Sequence, residues 1–127
     1  VLSGTARRQV EAATAAGDLS GDAMAEVRRT YGDDGAREIV QALDTELPKQ
    51  REELRRALET GDRVTLKRFA HTLKSCSLML GASALGQACE VQERLADEGG
   101  ADAEALRELM ARFERLVQSA RSALAAD

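Results

Sequence analysis

Glycine, often followed by aspartate, cuts this chain into helix-length pieces. Gly17-Asp18, Gly32-Asp33, Gly61-Asp62, Gly81 and Gly99-Gly100 fall between segments whose apolar residues recur at three- and four-residue steps. A glycine in the left-handed conformation ends one helix, and an aspartate side chain caps the next. The spacing predicts helices over about 3–16, 22–30, 34–60, 63–80, 83–98 and 102–124. No segment alternates apolar and polar residues as a half-buried strand would. The single proline, Pro48, lies within 34–60, where it removes a backbone hydrogen bond to the carbonyl of Asp44 and is expected to bend the helix.

Four of the segments carry an apolar stripe suited to a shared core. They are Ala36, Val40, Leu43, Leu47, Gln50, Leu54 and Leu58; then Leu66, Phe69, Leu73, Cys76 and Leu80; then Leu85, Ala88, Gln92 and Leu95; and last Leu106, Leu109, Phe113, Leu116, Ala120 and Leu124. The 127 residues fit one domain of ordinary size. Connections this short force neighbouring helices to run in opposite directions. The expected fold is all-α, an antiparallel up-down four-helix bundle over 22–127 with a short N-terminal helical cover over 1–21.

Composition narrows the function. Aromatic residues make up 2% of the chain and Trp is absent, so few rings are available to stack bases or sugars. The net charge of −4 argues against nucleic acid as a partner. No apolar run approaches the roughly 20 residues of a membrane span, and the opening residues lack the apolar stretch of a signal peptide. The expected compartment is the cytoplasm. A first residue of Val is taken as the mark of a fragment or a processed chain. Cys76 and Cys89 are too few for a disulfide framework, and with one histidine they make a poor zinc site. They are expected to be reduced thiols packed in the core, and no metal ligation by this chain is expected.

The one histidine, His71, breaks the pattern of a core residue. At about 100° per residue, the stripe Leu66, Phe69, Leu73, Cys76 and Leu80 centres on one side of its helix and His71 falls nearly opposite. It shares that side with Val64, Arg68, Ser75 and Leu78, with Lys67 and Lys74 flanking it. Lys74 follows at i+3, within reach of an anion held on the imidazole. Ser75, at i+4, is small and leaves the ring open to approach. Val64 and Leu78 put apolar groups on what should be a solvent face, which suggests that a partner docks there. A merely solvated face with two stray aliphatics is the plainer alternative.

The run Ala70-His71-Thr72-Leu73-Lys74-Ser75-Cys76-Ser77-Leu78-Met79-Leu80-Gly81-Ala82 closely resembles the signature of histidine-containing phosphotransfer (HPt) domains, A-H-x-L-K-[GS]-x-[SA]-x-x-[LVI]-G. A second part of that signature, L-x-x-x-C-x-x-[LIV]-E, is similar to Leu85-Gly86-Gln87-Ala88-Cys89-Glu90-Val91-Gln92-Glu93. The resemblance extends over about residues 20–124 and includes the long proline-containing helix. Ser75 stands where glycine is more frequent, and Leu78-Met79 is more apolar than the usual pair.

The resemblance implies a phosphorelay intermediate. His71 would accept a phosphoryl group from the aspartyl phosphate of a response-regulator receiver domain and pass it to another receiver aspartate. A neutral imidazole offers one nitrogen lone pair, and phosphoryl transfer asks the protein mainly for positioning and charge neutralisation. Lys74 would stabilise phosphoryl oxygens as a point charge. Glu93 matches a family position that bonds the imidazole, and would hold Nδ1–H. Val64, Lys67, Arg68, Thr72, Ser75 and Leu78 would form the receiver-docking surface. The chain would need no cofactor of its own, and Mg²⁺ would belong to the receiver. It has no phosphate loop of the G-x-x-x-x-G-K type and no recognisable kinase ATP site, so it is expected to be a monomeric phosphocarrier and not an autonomous kinase. Fusion to a hybrid sensor kinase is compatible with this. Two alternatives stay open, the HPt-like first domain of a chemotaxis-type histidine kinase and a helical interaction module that takes no phosphate.

Overall fold

The computed structural model describes residues 21–125, all of it helix and short connections with no strand among the described residues. The helices are α1 (Gly21–Thr60), α2 (Arg63–Met79), α3 (Ser83–Asp97) and α4 (Ala103–Ala125). The helix expected over 3–16 lies outside the described residues.

Local chemistry places the boundaries. The expected division at Gly32-Asp33 is present as a break inside α1, where Gly32 takes φ 76° and ψ 169°. An L-residue with a side chain rarely adopts that backbone, so the glycine is what permits the kink. Pro48 lies inside the helix, in the part that follows this break. Asp62 caps α2, its carboxylate accepting from the Thr65 backbone N–H at 3.1 Å and from the Thr65 hydroxyl at 2.7 Å. Asp102 does the same for α4, accepting from the Ala105 N–H at 3.0 Å. Between α2 and α3 the chain turns at Gly81, at φ 81°.

The stripes read from the sequence meet in one core. Val40, Leu47 and Leu54 of α1 lie with Phe69, Leu73 and Leu80 of α2, Leu85, Ala88 and Cys89 of α3, and Leu106, Leu109, Phe113 and Leu116 of α4. Each fully buried side chain of this kind contributes about 1.5–3 kcal/mol relative to exposure. Met24 and Val27, before the break, join the same core, and Arg28 donates to the Ala123 carbonyl at 3.1 Å, tying the start of α1 to the end of α4. Leu95 is an exception, since it is only half-buried while Val91 and Ala96 are buried. Cys76 is half-buried at the edge of the core, and Cys89 is fully buried.

Helix α2 packs chiefly on α3, and α1 chiefly on α4. Along the α2–α3 seam, Lys67 meets Asp97, His71 meets Glu93 and Leu78 meets the backbone at Gly86, so the partners descend along α3 as they ascend along α2. Buried Gln92 accepts from the Asp102 N–H at 3.1 Å and ties α3 to the cap of α4.

Candidate functional site

The site grows out of the α2–α3 seam. Phe69 and Leu73 turn one side of α2 into the core, which leaves His71 on the outer side with 58% of its side chain exposed. On α3, Gln92 is wholly buried, and its neighbour Glu93 comes up at the edge of the seam with 16% of its side chain exposed. Glu93 faces His71 there, its two carboxylate oxygens lying 3.0 and 3.1 Å from Nδ1. Lys74, one turn along α2 from His71, brings Nζ to 3.0 Å from the same Oε1 that lies nearest the imidazole.

The protonation pattern follows from this geometry. Burial pushes the Glu93 carboxyl up, but the hydrogen bonds and charges of Lys74 and His71 together outweigh it and hold the group below its ordinary range. Glu93 is therefore a carboxylate at neutral pH and can only accept. Nδ1 must carry the proton it donates, so in the neutral ring the lone pair sits on Nε2. Nε2 has no partner among the described residues. The cluster is an oriented imidazole with one free nitrogen, beside an ammonium and over a fixed carboxylate. Such an arrangement can present a nucleophile and steady an anion attached to it.

The surrounding surface mixes apolar, neutral polar and charged side chains. Val64 is 75% exposed and Leu78 50%. Arg68 and Ser75 are exposed as well, and Thr72 is half-buried. Lys67 is held by Asp97 at 3.0 Å, and Arg68 reaches toward Glu53 of α1 at 3.9 Å. The structure thus brings His71, Lys74 and Glu93 into contact and spreads the expected docking residues around them. It also shows Lys74 already engaged, whereas the spacing alone suggested an ammonium waiting for an anion.

Two neighbours of the site were not singled out from the sequence. Asp97 anchors Lys67, and Gly86 underlies Leu78; Met79, noted with Leu78 for its apolar character, is 38% exposed. A glycine inside an otherwise strong helical segment was the visible signal for Gly86. The contact of Asp97 with Lys67 depends on how α3 is rotated against α2.

A groove of about 750 Å³ between α1 and α4 is lined by Leu54, Leu58 and Met110 with Arg51, Arg107 and Glu114 at its sides. An imidazole on open surface suits approach by a macromolecule better than capture of a small ligand. Among the described residues no three His, Cys, Asp or Glu side chains are grouped to hold a metal ion, and no helix is long and apolar enough to cross a membrane.

Comparison with known proteins agrees with the geometry. The family model described as Hpt domain matches residues 38–123, about two thirds of the chain and all of the cluster. No curated protein and no solved structure matches the chain.

Proposed function

This chain belongs to the Hpt domain family, whose members are phosphocarriers in two-component phosphorelays, and on that premise we propose that His71 is its phosphoryl-carrying residue. The carrying observation is the contact of His71 Nδ1 with the Glu93 carboxylate, which leaves Nε2 as the nucleophile. In the proposed transfer, Nε2 attacks the phosphorus of a receiver's aspartyl phosphate in line. The P–O bond to the aspartate breaks, the aspartate leaves as a carboxylate, and the N–P bond forms. Nδ1 keeps its proton, so the ring gains positive charge, which the Glu93 carboxylate opposes at contact distance. Lys74 lies close enough to turn from Glu93 to a phosphoryl oxygen and neutralise it. The reverse sequence delivers the group to a second receiver.

Val64, Lys67, Arg68, Thr72, Ser75 and Leu78 form the docking surface in this reading. The Mg²⁺ that phosphoryl transfer uses is assigned to the receiver. The protein acts as a cytoplasmic monomer whose helices run up and down in turn, an antiparallel course that the short connections and the order of contacts along the α2–α3 seam support. Residues 22–127 make the bundle domain.

The test is incubation with a phosphorylated receiver and Mg²⁺. The protein should gain one acid-labile, alkali-stable phosphate, and His71→Gln should gain none. Label on His71→Gln would overturn the assignment, because the chain has no other histidine.

A further inference from the structure

Gly86 sits in the first turns of α3, its N–H bonded to the Ala82 carbonyl at 2.9 Å. Glycine is less favourable than alanine in a helix because it gives up more backbone freedom. Here the backbone gives no reason for it, since Gly86 is not among the glycines with positive φ. The neighbour across the seam does. A Cβ at position 86 would lie 2.6 Å from Leu78 Cδ2 and 2.9 Å from Leu78 Cγ, with the Lys74 carbonyl oxygen at 3.6 Å. The Leu78 side chain reclines across bare α3 backbone and still leaves half its surface exposed.

We infer that Gly86 is a positioning residue for Leu78, a seat that keeps the surface beside His71 low enough for a receiver to lie on it. This rests on the docking surface proposed above. Leu78 follows His71 by two helical turns, about 10 Å along α2, so one partner covers both. A methyl group at 86 displaces the end of a flexible side chain, and Leu78, already half exposed, has open solvent to move into. Leu78 then stands up as a ridge. A receiver whose surface fits the seated leucine meets that ridge and is held off Nε2. Position 86, which no receiver needs to touch, in this way sets which receiver faces fit.

The test is a double-variant comparison using Gly86→Ala, Leu78→Ala and the two together, with a receiver titrated against each. Gly86→Ala is expected to weaken binding about fivefold or more while its melting temperature stays level or rises. In the Leu78→Ala background the same change should have no effect, since the group it displaces is gone. Equal loss in both backgrounds, or no loss in either, overturns the inference. A second arm uses no receiver. With a soluble paramagnetic chelate, the ¹³C-labelled Leu78 methyls should relax faster in Gly86→Ala than in wild type, and unchanged relaxation also overturns it. Failure of wild type to bind or accept phosphate from any receiver would instead count against the proposed function, and the methyl comparison would still decide whether Gly86 seats Leu78.

Discussion

His71 and Glu93, on neighbouring helices, face each other with Nδ1 at 3.0 and 3.1 Å from the two carboxylate oxygens. One of those oxygens also receives the Lys74 ammonium at 3.0 Å. The carboxylate thus orients the ring, selects its tautomer and holds the cation that would meet the phosphate. Both contacts converge on a single half-buried side chain.

Glu93 should make stability depend on pH in acid. Its carboxyl titrates below the ordinary value of 4.5 in the folded protein, with burial opposing and the Lys74 and His71 hydrogen bonds prevailing. A depressed folded value means that the contribution is present above the unfolded value and lost as pH falls through the folded one. Urea midpoints at about pH 6 and about pH 3 should therefore differ more for wild type than for Glu93→Gln. An equal drop in both proteins would show that Glu93 is not linked to folding.

Removal of the Lys74 charge should act on transfer more than on the fold. Lys74→Ala is expected to slow phosphoryl transfer about tenfold, the scale of one charge-assisted hydrogen bond. Lys74→Met keeps the apolar stem and should be as slow, with a melting temperature closer to wild type. Rapid-quench assays with a phosphorylated receiver, paired with thermal melts, check this. Wild-type rates in Lys74→Met would make the lysine a packing residue only.

The docking surface has a direct test at Leu78. Leu78→Asp should weaken receiver binding about tenfold or more, through loss of an apolar anchor and an unpaired charge in the interface. Arg121→Ala serves as the distant control, because Arg121 pairs with Asp44 at 3.2 Å between α4 and α1, where an exposed pair is worth about 0–1 kcal/mol. Folded Leu78→Asp that binds like wild type would move the docking surface elsewhere.

The cysteines should be inert in the native protein. Burial, with a smaller contribution from Cys76, pushes the Cys89 thiol up to about 12, and burial also raises Cys76. Since the thiolate is the reactive form, iodoacetamide near pH ~8 should leave Cys89 unmodified until urea is added. Mass spectrometry of native and unfolded samples reads this directly, and rapid native labelling of Cys89 would contradict the packing.

The elements, the break at Gly32 and the outward side of His71 were legible from the sequence because their causes are local. A period near 3.6 residues, an aspartate cap and a glycine stop act within a few neighbours of one another, so the azimuth that exposes His71 opposite Phe69 and Leu73 can be computed from spacing alone. What joins α2 to α3 was decided only by the tertiary structure. The resemblance already placed Glu93 at the imidazole, but whether its oxygen also holds Lys74 and whether Gly86 lies under Leu78 depend on the rotation and separation of two helices. The many weak contacts of a shared core set those quantities together, and no single residue pattern encodes them.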